Sequence, residues 1–213
     1  MTAAEAYPHR ELLTRFESLG TNCEFGSVQR HFGAETLGLF RWAGIEYQAL
    51  LPILAQRFAG IGDPARTQGL SDHVGEYFLR NTGIEFVVHT WMNFAENDNA
   101  EFFEKQCARL RFLAEKMIAD LTAGEKIFVY KRVAADVTDD EVRALRAEMD
   151  RYGPAPLLCV RLAGGRHVAG TVERFSRRVL IGYLDRLAAM PIGPSVSYDC
   201  WLSICAAAAL KFA

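Results

Sequence analysis

Two residues in this chain are of the types, and in the settings, that could carry covalent chemistry: Cys23 and His89. Cys23 lies within the stretch 16–42, where a short strand ending at Leu19 leads through a Gly20-Thr21-Asn22 turn into a helix beginning near Cys23. Orphaned backbone N–H groups and the helix dipole favour an anion at that point. Those conditions lower a cysteine pKa and turn the thiol into a thiolate nucleophile. Thr21 and Asn22 are polar neighbours suited to cap the helix or to donate to a developing oxyanion. The competing reading is a buried structural cysteine beside a helix cap.

His89 follows the strand-like run Ile84–Val88, Lys131 and Arg132 follow the next strand, and Arg161 follows the last clear one. If these strands are parallel, their polar ends gather at one carboxyl edge, where open α/β sheets place function. A thiol, an imidazole and a cationic floor of Lys131, Arg132 and Arg161 suit nucleophilic acyl transfer. The imidazole would keep the thiol ionised and then protonate the leaving group. Asn93, Asp98 and Asp199 are candidates to orient it. Glu24, one residue past Cys23, opposes thiolate formation by its charge. His31 lies about 12 Å from Cys23 by helix rise, too far to bond the thiol, while His73 stays an alternative base. The plainer alternatives are a hydrogen-bonded structural histidine and solvated strand-end cations.

The elements that must position these groups can be read from periodicity. A short helix over 9–16 precedes the first strand, and Glu24–Phe32 carries Phe25, Val28 and Phe32 at helical spacing before Gly33. The segment 37–42 reads as extended and 45–58 as helical, with Pro52 as a kink or first turn. Residues 60–70 read as a turn-rich, mobile loop, and residues 1–8 as a frayed arm. The runs 74–80 and 84–91, split by Asn81-Thr82-Gly83, have the spacing of a β-hairpin. A long helix is expected over 99–121 and a strand over 126–130. A Thr138-x-x-Glu141 capping box opens another helix. A fully buried strand follows at 156–160, then a strand at 179–184 and a terminal helix from Tyr198. This alternation predicts an α/β fold: one domain spanning 1–213, three-layer α/β/α, around a mostly parallel central sheet.

Composition narrows the function. At 213 residues with a formal net charge of −2, the chain lacks the basic excess of a nucleic-acid binder. The five cysteines form no C-x-x-C pair, which suggests neither a disulfide framework nor a zinc ribbon and fits a reducing cytoplasmic setting. Cys107 and Cys159 read as small core residues. Scattered histidines and the absence of a Walker or dinucleotide motif give no metal site and no cofactor to expect. No signal peptide or membrane span is visible. Oligomeric state is not legible.

The motifs Ser18-Leu19-Gly20-Thr21-Asn22-Cys23, Phe40-Arg41-Trp42, His89-Thr90-Trp91 and Val129-Tyr130-Lys131-Arg132 together resemble the bacterial DUF1796 group of papain-like cysteine peptidases over residues 15–165. The resemblance implies Cys23 as nucleophile and His89 as its partner, and adds Arg41 and Trp42 as ligand contacts. Arg41 stands where that group commonly has an acid. The expected function is a cysteine-dependent hydrolase or acyltransferase acting on a small-molecule or peptide substrate. The alternatives are a non-catalytic or carbohydrate-processing-associated module holding an anionic ligand on its strand-end cations and, third, an esterase-like hydrolase.

Overall fold

A computed structural model describes residues 8–133, 135–188 and 195–213. The first half of the chain runs α1 (His9–Thr14), β1 (Phe16–Ser18), α2 (Glu24–His31), β2 (Ala43–Ile45), α3 (Tyr47–Ala55), β3 (Thr67–Ser71), β4 (Glu76–Asn81) and β5 (Phe86–Asn93). The second half runs α4 (Phe94–Asn97), α5 (Ala100–Ala123), β6 (Ile127–Lys131), α6 (Asp139–Asp150), β7 (Leu157–Leu162), β8 (Val172–Ser176), β9 (Val179–Leu184) and α7 (Tyr198–Phe212). All but Pro8 of the expected N-terminal arm lies outside the described residues.

The strands form two sheets. One is mixed and mostly parallel, in the order β1-β6-β7-β9-β8, with only the edge strand β8 antiparallel. Its strands send alternate side chains to opposite faces, as a pleated strand must. Phe128, Tyr130, Leu157, Cys159 and Ile181 join a cluster with α3, α5 and α6, whereas Ile127, Val129, Leu158, Val160 and Leu180 join one with α1, α2 and α7. The near-continuous apolar run of β7 follows from burial on both faces. The chain is thus α/β, as the alternation predicts.

The second sheet corrects the expectation of a single one. It is antiparallel, in the order β2-β5-β4-β3. The strand carrying His89 belongs here, paired with β2 and β4, so His89 does not reach the site as the end of a parallel strand. The hairpin of β4 and β5 is the one its turn residues suggest. The segment 37–42, expected to be extended, instead turns over residues 39–42 and leads into β2, which pairs with β5. The stretch 60–70, expected to be a mobile loop, holds a 3-10 turn at Pro64–Arg66 and the first part of β3. Asp63 caps that turn by accepting from the Ala65 N–H. The core face of this sheet (Tyr77, Leu79, Phe86, Val88) shares a cluster with β6, β7 and β9.

A close approach fastens the second sheet to the carboxyl edge of the first, and a buried ion pair fastens α2 to that edge. Gly20 has φ +95, and a Cβ there would fall 2.3 Å from Cγ2 of Ile45. Only glycine permits both that conformation and that approach. In the ion pair, Glu24, at the start of α2, lies 2.8 Å from the Nζ of Lys131, at the end of β6. The same carboxylate accepts from the indole Nε1 of Trp201 on α7 and from the Ala188 N–H. An uncompensated charge left at such a site is expensive.

Lys131→Met should therefore lower unfolding stability by about 3–5 kcal/mol, read by urea denaturation, and Glu24→Gln/Lys131→Met together should recover much of the loss. Glu17 on β1 gives a second test. Its carboxyl is pushed up to about 7 by burial, only partly opposed by Lys116. The unfolded chain ionises it near the ordinary value of about 4.3, so between there and about 7 the folded state binds the extra proton. Stability is lost as pH rises through that window. Melting temperatures should show Glu17→Gln gaining on wild type from pH 5 to 8.

Candidate functional site

The first half of the site is the turn between β1 and α2. Thr21 holds φ +80, a strained value for a β-branched residue. It is fixed by its hydroxyl, which donates to the Lys131 carbonyl at 2.8 Å. The Asn22 Oδ1 accepts from the Glu24 N–H at 3.1 Å, while its Nδ2 is buried without an acceptor. A buried donor without a partner calls for an explanation. Cys23 occupies the N-cap of α2 with its thiol buried. The sequence leads one to expect a lowered thiol pKa, and the structure reverses that. Burial, and then the charge of Glu76, push the Cys23 thiol up to about 12. Glu24, the acid expected to oppose ionisation, is compensated by Lys131 instead.

The second half is on the antiparallel sheet. His89 Nδ1 lies 3.3 and 3.2 Å from the two carboxylate oxygens of Glu76 across the β4–β5 pair. An ionised carboxylate only accepts, so Nδ1 carries the proton and Nε2 is left as the basic nitrogen. The ring is stacked on Trp91, with centroids 5.0 Å apart, and packed against Phe78. The Trp91 N–H donates to the same Glu76 carboxylate at 2.9 Å. The ladder shifts register between Glu76 and Phe78, and Trp91 sits at φ +61. Such an irregularity re-aims side chains next to functional sites.

Arg41 and Trp42 bring the halves together. A Cβ on Gly26, in the first turn of α2, would meet the Arg41 carbonyl at 2.4 Å and the Trp42 ring at 3.1 Å. On the other side the His89 N–H donates to the Trp42 carbonyl at 2.9 Å. The Trp42 and Trp91 rings meet edge to face at 5.4 Å, with the Arg30 guanidinium over both. The first turn of α2 and His89 thus flank one segment, and the Glu76 carboxylate, which faces His89, also acts on Cys23 through its charge. Among the described residues no hydrogen bond joins the Cys23 sulfur to the ring.

Glu76 is the group that sequence reasoning missed. Asn93 instead caps α4, accepting from the Glu96 N–H. Neither Asp98 nor Asp199 touches the ring among the described contacts. The only trace of Glu76 in the sequence is its place at the start of the hairpin strand facing His89. The expected cationic floor is already compensated. Lys131 pairs with Glu24, Arg132 with Glu141 at 3.0 Å and Arg161 with Asp139 at 2.7 Å. Arg41 is buried, paired with Glu35 and donating to the Thr36 and Ala34 carbonyls, so it braces its loop. Trp42 is half-buried between arginines. His31 stacks on Tyr198, and His73 is exposed. Cys107 and Cys159 are buried free thiols, as expected. No group of three or more metal-ligating side chains exists among the described residues, and no helix there is long and apolar enough to cross a membrane.

A thiol held neutral has a measurable signature. Iodoacetamide labelling of the Cys23 peptide should rise about tenfold per pH unit between pH 6 and 9, because the thiolate fraction does. Glu76→Gln removes a charge that raises the thiol and should speed labelling at every pH. A rate flat from pH 6 to 8 would contradict this assignment. Compared with family models, with curated proteins and with solved structures, the chain gives no match.

Proposed function

We propose that this chain is a cysteine-dependent hydrolase or acyltransferase acting on a small-molecule or peptide substrate, with Cys23 as nucleophile, His89 as base and Glu76 as the residue that positions His89. The observation that carries the reading is the two-oxygen contact of Glu76 with His89 Nδ1, made by a carboxylate whose charge also acts on Cys23. That is the nucleophile, base and orienting acid of a triad, recognised by role rather than by sequence order. The reading takes the chain as a single three-layer α/β/α domain with an added antiparallel sheet, and it agrees with the resemblance to the DUF1796 group in naming Cys23 and His89.

The steps follow from the resting thiol. As sulfur attacks the carbonyl carbon, its proton passes to His89 Nε2, and the Glu76 carboxylate stabilises the imidazolium. The oxyanion takes donors from the unpartnered Asn22 Nδ2 and from first-turn N–H groups of α2 other than that of Glu24, which already donates to Asn22 Oδ1. The carbon–leaving-group bond breaks, and the leaving group departs with the His89 proton. Water, or an acceptor hydroxyl or amine, then attacks the thioester with His89 as base, releasing the acyl product and restoring the thiol. A module holding an anion on the strand-end cations is the weaker alternative, since each of those cations already faces a carboxylate.

p-Nitrophenyl acetate tests the reading. Wild-type protein should release nitrophenolate with Cys23 acetylated, as seen by mass spectrometry. Cys23→Ala should abolish both signals, and His89→Ala and Glu76→Gln should each lower kcat by about 10²- to 10⁴-fold. Turnover surviving undiminished in Cys23→Ala would overturn the assignment.

A further inference from the structure

Arg146, on α6, is a buried cation with too few acceptors: it is only 9% exposed, and its Nε has no hydrogen-bond partner among the described residues. Its Nη1 donates to the Ala155 carbonyl, and its Nη2 lies 3.0 Å from Oδ1 of Asp150. That oxygen is shared, since Nη1 of Arg178 lies 3.3 Å from it. Two guanidinium groups thus divide one carboxylate. Burial is the main influence lowering the Arg146 pKa, Asp150 opposes it, and Arg178 adds to it. A buried charge short of acceptors and countercharge is costly and calls for a partner.

Arg146 also lines a recess of about 440 Å³ between α6 and the β8–β9 hairpin, within the roughly 300–1,000 Å³ usual for small-molecule sites. Arg143, Arg146 and Asp150 reach it from one face of α6, at helical spacing. Phe175, Ser176 and Val179 line it from the hairpin, and the Arg143 guanidinium lies over the Phe175 ring, 5.5 Å from its centroid. Arg143 pairs only with Asp139 and Asp140, both of them largely exposed and so screened by water. The hairpin turn is Arg177-Arg178, where two-residue turns favour asparagine and glycine. Arg177 is exposed and has no ion pair among the described residues. The ladder shifts register between Arg174 and Ser176, an irregularity that re-aims side chains. Val179 begins β9, so the recess lies at the amino edge of the parallel strands, opposite the edge that carries Cys23.

We propose that this recess binds a small phosphomonoester, with its phosphate held by Arg143, Arg178 and the Ser176 hydroxyl and its organic group along Phe175 and Val179. The phosphate brings the countercharge that Asp150 cannot give to Arg146 and Arg178 at once. A dianion with three acceptor oxygens suits several guanidinium groups better than a single negative charge does. The concave, partly aromatic wall and the chain's net charge of −2 favour a small ligand over a polyanion. Neither Cys23 nor His89 takes part, so the site stands or falls apart from the catalytic reading.

The probe is phenyl phosphate, with phenyl sulfate as a monoanion of the same shape, titrated calorimetrically into the full-length protein at constant ionic strength. Wild-type protein should bind phenyl phosphate at pH 7.5 and lose about tenfold in affinity at pH 5, below the second phosphate pKa of about 6. Phenyl sulfate should bind more weakly at both pH values and show no such dependence. Arg143→Gln and Arg178→Gln break only part-exposed ion pairs, so both should keep the wild-type circular dichroism spectrum. Each should weaken phenyl phosphate binding by about tenfold or more, through the loss of a charge-assisted hydrogen bond. No binding of phenyl phosphate, or binding undiminished in both folded variants, sinks the site. Equal binding of the sulfate at both pH values sinks the assignment of a dianionic ligand.

Discussion

The buried Glu24–Lys131 pair is the constraint on which the site depends. Glu24 is the residue after Cys23 and the first of α2, so its carboxylate favours the helix N-terminus while its partner comes from the end of the neighbouring strand. Lys131 also presents its carbonyl to the Thr21 hydroxyl. One residue of β6 therefore grips the turn on both sides of Asn22 and Cys23, through its side chain and its backbone. The Trp201 indole extends the hold to α7. A desolvated pair of this kind is weak evidence for net stability. Its value here is positional, because it fixes the direction in which the thiol leaves the sheet.

The same pair separates two charges that look equivalent in the sequence. Glu24 and Glu76 are both acids near a thiol. Glu24 is neutralised by a cation 2.8 Å away, so its charge is spent before it reaches the sulfur. Glu76 faces an imidazole and a backbone N–H, and its field reaches Cys23, raising the thiol. The strand-end cations follow the same logic. Lys131, Arg132 and Arg161 do gather near the carboxyl edge, yet each faces a carboxylate from a helix: Glu24, Glu141 and Asp139.

Much of the α/β framework was legible because local signals and burial agree. The apolar spacing of α5, the Thr138–Glu141 capping box and the doubly buried run of β7 each point to one conformation. The second sheet was not legible, because β2 is only three residues long and its pairing with β5 closes over forty residues of intervening chain. A hairpin of β4 and β5 reads the same whether it stands alone or adds strands at both sides. The turn before α2 and the histidine on β5 were visible as residue types. Glu76 was not, since an acid at the start of an amphipathic strand is ordinary, and only the register shift beside it turns its carboxylate toward His89.

On the proposed reading, the two effects of Glu76 oppose each other at rest and combine during reaction. By holding Nδ1 it leaves Nε2 basic, and its charge adds to the burial that keeps the proton on the Cys23 sulfur. A pre-formed thiolate–imidazolium pair is thereby disfavoured, in contrast to what the helix N-terminus alone would give. In the proposed reaction, once sulfur bonds to a carbonyl carbon the proton has no stable place on it, and the imidazolium that forms would lie against the carboxylate. The negative charge then sits on the oxyanion, next to Asn22 Nδ2 and the start of α2. The field that adds to burial in suppressing the free nucleophile would thus stabilise the charged base of the proposed transition state. Such a site protects a buried thiol from adventitious electrophiles and oxidants, which react through the thiolate. In the proposed reaction the thiol loses its proton only when a carbonyl is in place to receive the sulfur.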